Sequence, residues 1–165
     1  MPDTITIRSA GREDAEVFLD LVDGLADYEE LPRPTPEARE RLLRDGFGER
    51  PFFRAYLAEL NGRPVAYAIT FLTYSTFLAL PTLFLEDLFV LPEARGHGIG
   101  RAMFRHLAGE ALRDNCGRME WMVLDWNQLA IDFYERLPAR RLKEWYGYRL
   151  TREQLEALAG TEAGT

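Results

Sequence analysis

One stretch of the sequence decides the fold: Leu85-Glu86-Asp87-Leu88-Phe89-Val90-Leu91-Pro92-Glu93-Ala94-Arg95-Gly96-His97-Gly98-Ile99-Gly100-Arg101. Its first half is apolar apart from two carboxylates, which predicts a β-strand, and Pro92 marks the end of that strand. Its second half is a glycine-rich turn that opens a segment with helical spacing of apolar residues. Because glycine has no side chain, backbone N–H groups in such a turn converge on one point, beside the positive end of the helix. The turn is therefore a predicted cradle for a phosphate or pyrophosphate group.

Two common phosphate-binding motifs do not fit this turn. A P-loop ends in Gly-Lys followed by Ser or Thr, whereas this chain has Gly100-Arg101. A dinucleotide-binding fingerprint needs a glycine at the position that Arg101 occupies. What remains is Arg-x-x-Gly-x-Gly directly after a strand, formed by Arg95, Gly98 and Gly100. That pattern resembles the acyl-CoA motif of the GNAT superfamily of N-acyltransferases, and the alternative is a connecting turn that binds no ligand.

The composition predicts a single enzyme domain over residues 1–160, followed by a disordered tail at 161–165. The chain has 165 residues, of which 47% are hydrophobic, and this is enough apolar material for one core. A formal net charge of -7 argues against nucleic acid or an anionic membrane as the main partner and favours cationic small molecules. No stretch approaches the roughly 20 apolar residues of a membrane span, and the N-terminus lacks a signal-peptide pattern, so we expect a cytoplasmic location.

Hydrophobic periodicity and turn signals predict an α/β (α+β) fold in the order β-α-α-β-β-β-α-β-α-β. The predicted strands are 4–9, 53–60, 64–73, 83–90, 119–125 and 141–150, and the predicted helices are 12–30, 35–46, 100–114 and 129–137. Asn61-Gly62 predicts a hairpin turn, and Thr35-Pro36 predicts a capped helix start. This order is the one expected of the GNAT fold, a mixed and mostly antiparallel sheet flanked by helices, so the resemblance covers nearly the whole chain.

Four segments resemble the diamine (spermidine/spermine-type) acetyltransferases within that superfamily. They are Tyr28-Glu29, Asp45-Gly46-Phe47-Gly48-Glu49, Leu85-Glu86-Asp87-Leu88-Phe89-Val90, and Trp126-Asn127 followed by Phe133-Tyr134. The resemblance implies acetyl-CoA as cosubstrate, direct acetyl transfer to a primary amine of a polyamine, diamine or lysine-like substrate, and a homodimer. The chain departs from the group's pattern near its end, where Tyr146 replaces an acidic residue and Glu144 lies two positions earlier.

The chemistry of amine acetylation requires a base, because an aliphatic amine with a pKa of about 10.4 is almost entirely protonated at pH 7. Glu86 is the candidate base, acting directly or through a water. Its neighbour Asp87 points to the other face of a regular strand unless a bulge re-aims it. The resemblance implies that Tyr134 is the acid that protonates the departing CoA thiolate, whereas a core tyrosine with a satisfied hydroxyl is the alternative.

The candidate site residues divide into three groups. The catalytic candidates are Glu86 and Tyr134. The candidates for binding acetyl-CoA are Leu88, Phe89, Val90, Arg95, Gly96, His97, Gly98, Ile99, Gly100, Arg101, Asn127, Ala130 and Tyr134. The candidates for binding the amine are Tyr28, Glu29, Glu86, Asp87 and Glu144. No metal site is predicted, because the two histidines lack the acidic or histidine neighbours that a metal requires.

Several interpretations stay open on the sequence alone. The acidic candidates fit an ordinary acidic surface as well as an amine pocket, and Asn127 fits a helix cap as well as a CoA contact. The same fold also serves two other functions: acetylation of a protein N-terminus or lysine side chain, and CoA sensing without turnover.

Overall fold

The computed structural model describes residues 2–160, and the tail expected at 161–165 lies outside them. The chain divides into two compact units, one ending at Met122 and the other beginning at Val123, and each is described by itself. The expectation of a single domain therefore stays a prediction. No helix of the described part is both long enough and apolar enough to cross a membrane.

The first unit contains all five strands and three α-helices. In chain order these are β1 (Ile5–Ser9), α1 (Ala15–Tyr28), α2 (Pro36–Phe47), β2 (Arg54–Leu60), β3 (Arg63–Ser75), β4 (Leu80–Val90), α3 (Ile99–Arg113) and β5 (Arg118–Trp121). Single 3-10 turns at Arg12–Asp14 and Pro92–Ala94 precede α1 and α3. The second unit contains two helices, α4 (Gln128–Tyr134) and α5 (Arg152–Gly160).

The strands form one sheet in the order β1-β2-β3-β4-β5, antiparallel except for the parallel pair β4–β5. Two local signals in the sequence are confirmed. Asn61 and Gly62 both have positive φ, at 54° and 82°, as a two-residue hairpin turn requires. The Thr35 hydroxyl accepts a hydrogen bond from the Ala38 backbone N–H at 3.3 Å and caps α2.

Helices cover both faces of this sheet. On one face α1 packs against an apolar cluster made of Phe18, Leu21, Ala55, Leu57, Tyr67, Ile69 and Phe89. A Cβ at Gly24 would lie 2.8 Å from the Phe89 ring, so the missing side chain lets α1 approach β4 closely. On the other face α3 contributes Met103 and Leu107, which are fully buried. The core therefore lies in two layers, above and below β2, β3 and β4.

The predicted fold class is confirmed, but the last predicted strand is wrong. Residues 141–150 form no strand in the structure, and Trp145, Tyr146 and Tyr148 are 72%, 83% and 95% exposed. Aromatic residues favour a strand only where a neighbouring strand supplies backbone hydrogen bonds, and this segment has no such pairing in the described chain. The strand predicted at 119–125 is also shorter than expected, because pairing with β4 covers only Arg118–Trp121.

Candidate active site

A bulge in β4 positions the two neighbouring carboxylates. Ile69 pairs with Asp87 and Thr70 pairs with Leu85, so Glu86 is an extra residue without a partner on β3. The extra residue reverses the alternation of side chains along the rest of the strand. As a result Asp87 lies on the sheet face that packs against α1, the same face as Phe89, while Glu86 is exposed. The bulge that two adjacent carboxylates allow in a strand thus lies at Glu86.

Asp87 is half-buried and accepts a hydrogen bond on Oδ2 from the Tyr67 hydroxyl, at 3.1 Å. Burial raises the pKa of Asp87 to about 6, and the Tyr67 hydrogen bond opposes that rise. The negative charges of Glu86 and Glu29 raise the pKa further. Three carboxylates from β4 and the end of α1 therefore share one negative field, which favours a cationic ligand.

The C-terminal end of α1 carries the other acidic and aromatic candidates. Glu29 caps the helix and is half-buried, and burial raises its pKa. The Arg95 guanidinium lies over the Tyr28 ring, 4.9 Å from its centroid, and its Nε donates to the Val90 carbonyl at 3.1 Å. These contacts tie the end of α1 to the end of β4. Arg95 thus has a positioning role within the protein that the sequence analysis did not anticipate.

The glycine turn has the backbone geometry expected of an anion cradle. Gly96 and Gly98 have φ of 86° and 83°, a region that side chains disfavour, and Gly98 is the N-cap of α3. The first N–H groups of α3, from Ile99 onward, begin directly after this turn and have no intrahelical acceptor. The Ile99 side chain is buried, so its backbone is the part that a ligand at the turn would meet. The neighbouring Arg101 is exposed.

In the described chain, the part of β4 next to this turn pairs with a neighbouring strand on one side only. The parallel pairing of β4 with β5 covers Thr82 to Leu85 and ends at the Leu85–Trp121 pair. The antiparallel pairing with β3 continues as far as Val90. Among the described residues, Leu88, Phe89 and Val90 therefore pair with β3 on one side and have no partner strand on the side of β5. Such an edge accepts an extended ligand through backbone hydrogen bonds.

His97 belongs to the turn but its side chain has a partner inside the protein. Its Nδ1 lies 2.7 Å from Oδ2 of Asp3, close to the start of the chain. The hydrogen bonds from Asn61 and His97 hold the pKa of Asp3 below its usual value. The His97 side chain thus links the turn to the residues just before β1. The predicted cofactor contact of His97 would then be made by its backbone.

The second unit carries the remaining candidates. The Asn127 side chain accepts a hydrogen bond from the Ala130 N–H at 3.2 Å and caps α4, which confirms the capping interpretation. Tyr134 is the last residue of α4, and burial raises its pKa to about 12. A phenol with this pKa keeps its proton at neutral pH, as a proton donor must. Glu144 lies outside any strand and pairs with Arg140 at 2.8 Å.

The model of the acetyltransferase (GNAT) family matches residues 18–137. This chain belongs to the GNAT acetyltransferase family. It is therefore an N-acetyltransferase, and the resemblance to the GNAT superfamily stated from the sequence is confirmed.

Two curated relatives and one solved structure show how far the similarity of this GNAT acetyltransferase extends. A thialysine N-epsilon-acetyltransferase from Sus scrofa is 37% identical, over 95% of this chain and 98% of the relative. The human spermidine/spermine N(1)-acetyltransferase-like protein 1 is 32% identical, over 97% of this chain and 24% of the relative. An integron cassette protein from V. cholerae, at 23% identity and a TM-score of 0.82, covers 98% of this chain and 99% of its own and shows the shared fold.

Proposed function

We propose that this acetyltransferase transfers the acetyl group of acetyl-CoA to the primary amine of a small cationic substrate. The observation that carries the proposal is the bulge in β4, which exposes Glu86 at the start of an unpaired strand edge leading into the glycine turn. A base, a backbone edge and an anion cradle thus follow one another within 15 residues, from Glu86 to Gly100. That order suits a long anionic thioester whose reactive end meets an amine.

Acetyl-CoA would be held mainly by backbone groups. We assign its pyrophosphate to the N–H groups at the start of α3 and the turn before it, helped by the charge of Arg101. We assign its pantetheine arm to the backbone of Leu88, Phe89 and Val90, where the ladder with β5 has ended. Asn127 and Ala130 remain candidates from the family resemblance, although their mutual hydrogen bond already caps α4.

The acidic cluster supports a cationic acceptor. Glu29, Glu86 and Asp87 raise the negative potential around the bulge, and Tyr28 adds an aromatic surface beside them. One relative is named as an acetyltransferase of thialysine, an amine, and another is named for its likeness to a spermidine/spermine acetyltransferase, which supports the same class of acceptor here. Glu144 is an exposed acid paired with Arg140, and we keep it as a further candidate for the amine.

The reaction removes two protons from the nitrogen, one before the attack and one as the amide forms, and delivers one proton to the thiolate. Glu86 would take a proton from the ammonium group, directly or through water, and the neutral nitrogen would attack the thioester carbonyl. The C–N bond forms, the C–S bond breaks, and the CoA thiolate leaves with the electron pair of that bond. The nitrogen, which is cationic after the attack, releases its second proton to solvent to give the neutral amide. We assign the protonation of that thiolate to Tyr134, whose phenol stays protonated because burial raises its pKa to about 12.

The experiment that tests this function measures CoA-thiol release from acetyl-CoA against a panel of amines. The panel contains thialysine, lysine, ornithine, putrescine, spermidine, an aminoglycoside and a short peptide with a free N-terminus. We expect turnover with at least one small diamine or lysine-like amine, and its loss in Glu86→Gln and Tyr134→Phe. Turnover confined to the peptide would replace the small-amine proposal with a macromolecular acceptor, and acetyl-CoA binding without any turnover would indicate a sensor.

We further propose that the protein is a homodimer. The support is the exposed aromatic segment at 141–150, since large aromatic side chains in contact with water are typical of a surface that a partner covers. The cytoplasmic location, expected from the absence of a signal-peptide pattern, stays a prediction. The lack of a nucleic-acid partner, expected from the net charge, also stays a prediction.

A further inference from the structure

A buried tyrosine lies directly behind the carboxylates of the bulge. Tyr67 of β3 has no exposed surface, and it packs in the apolar cluster between the rings of Phe18 and Phe89. Its hydroxyl is the one polar atom of that side chain, and it donates to Oδ2 of Asp87 at 3.1 Å. Neither the sequence pattern nor the family motif singles out this residue.

The hydroxyl has a definite electrostatic effect on Asp87. A donor that points at a carboxylate stabilises the ionised form, so the hydrogen bond from Tyr67 lowers the pKa of Asp87. The effect opposes burial and the charges of Glu86 on β4 and Glu29 after α1, which all favour the neutral acid. These groups are the titratable neighbours that face Asp87 from β3, from its own strand and from α1.

The same contact also fixes the direction of the carboxylate. With Oδ2 engaged by Tyr67, the other oxygen of Asp87 is the one left for a second partner. Because the bulge places Asp87 on the face that carries the acidic end of α1, that partner is expected to be a cation.

We propose that Tyr67 is a positioning residue that keeps Asp87 ionised and oriented to bind the ammonium group of the acceptor. This inference rests on the proposed function, because it assumes a small cationic amine at the bulge. It assigns no chemical step to Tyr67, which touches neither the thioester nor the amine.

The proposal predicts how substrate binding depends on pH. The amine stays protonated from pH 6 to 8.5, so a change in its apparent affinity over this range reports the ionisation of the acid that binds it. Loss of the hydrogen bond in Tyr67→Phe raises the Asp87 midpoint by about one pH unit. The KM for the amine then rises about fivefold at pH 6 and stays unchanged at pH 8.5, with kcat within about twofold of wild type.

The chain offers a matched control. Tyr56 of β2 is also buried, and its hydroxyl also donates to a carboxylate, Oε2 of Glu110 at 3.3 Å, but on the opposite face of the sheet. Tyr56→Phe removes the same atom at the same depth. We expect it to leave the pH dependence of KM where it is in the wild type.

Two measurements decide the inference: the pH profile of KM for the best amine, and the titration of Asp87 by NMR of protein carrying 13Cγ-labelled aspartate. The Asp87 signal is assigned by its absence in Asp87→Asn. A rise of both midpoints in Tyr67→Phe but not in Tyr56→Phe supports the proposal. An unchanged KM profile in Tyr67→Phe, or an equal loss of kcat/KM at every pH, overturns it. If the wild type acetylates no amine, the proposed substrate class fails. In that case the NMR titration still tests the effect of Tyr67 separately, and an Asp87 titration midpoint that is the same in Tyr67→Phe and wild type overturns it.

Discussion

Two adjacent acids on β4 have different surroundings, and this difference assigns them different roles. Glu86 is the extra residue of the bulge and is exposed, whereas Asp87 is half-buried and accepts a hydrogen bond from Tyr67. An exposed acid exchanges protons readily with water and substrate. A buried acid such as Asp87 has a raised pKa, and a nearby cation strongly favours its ionised form. The pair is therefore suited to a division between proton removal and amine binding.

Asp87 is expected to make stability depend on pH. Its folded pKa of about 6 is raised above the ordinary value of 3.8, so its favourable contribution is complete below about pH 4 and is lost as pH rises through 6. The loss amounts to roughly 3 kcal/mol at 1.36 kcal/mol per pH unit. Asp87→Asn lacks the titrating group and should not show this loss. Urea denaturation should therefore find that the free energy of unfolding of the variant, relative to that of the wild type, is higher at pH 8 than at pH 4 by about this amount.

The exposed Asp20 of α1 provides the control for this prediction. Asp20→Asn is measured in parallel and reports the effect of replacing an aspartate on the surface of α1. A difference between Asp87→Asn and wild type that stays constant across the pH range would mean that burial does not perturb Asp87 as the structure indicates.

At the scale of the elements, the turn before α3 depends on the backbone of Gly98. Its φ of 83° is strained for any residue with a Cβ, although a Cβ there would meet no atom within 4 Å. Gly98→Ala should therefore lower the free energy of unfolding by about 1–2 kcal/mol and weaken acetyl-CoA binding, because relief of the strain moves the N–H groups of the cradle. Thermal denaturation and calorimetric titration with acetyl-CoA check the two effects.

Gly109 is the matched glycine within the same helix. It lies in the interior of α3, and its nearest neighbour to an added Cβ is an Arg113 side-chain nitrogen at 3.5 Å, an ordinary contact. Gly109→Ala should raise stability by about 0.5–1 kcal/mol and leave acetyl-CoA binding unchanged. Equal weakening of acetyl-CoA binding by both variants would contradict the assignment of the cradle.

The elements also show which features a sequence can predict. The hairpin at Asn61-Gly62, the cap at Thr35 and the turn before α3 depend on residues next to one another, and each was predicted correctly. The hydrogen bond from Tyr67 to Asp87 joins residues that are 20 positions apart in the sequence. The exact position of the bulge depends on pairing with β3. Neither feature can be predicted from the local sequence pattern. Helix α5 was missed, although Thr151 and Gln154 form a reciprocal cap that the sequence already contained.

At the scale of the whole molecule, the aromatic segment at 141–150 is the main departure from expectation. Its β-favouring residues form no strand, and Trp145 and Tyr148 are largely exposed. If a second copy covers this segment, Trp145→Ser combined with Tyr148→Ser should convert the proposed dimer to a monomer in light scattering after size exclusion. The exposed Leu112→Ser on α3 serves as the control. A wild-type monomer, or a double variant that stays dimeric, would contradict this role for the segment.

The central claim is that Glu86 removes the proton from the amine, and the most direct test is the pH dependence of kcat/KM in Glu86→Gln. Loss of a general base costs about 100- to 10,000-fold, so we expect a loss of this size at pH 7. The activity of the variant should then recover about tenfold per pH unit toward the pKa of the amine, because solvent supplies the neutral nucleophile. The exposed Glu93→Gln, beyond the end of β4, should match wild type throughout. A Glu86→Gln enzyme within a few-fold of wild type at pH 7 would contradict the account.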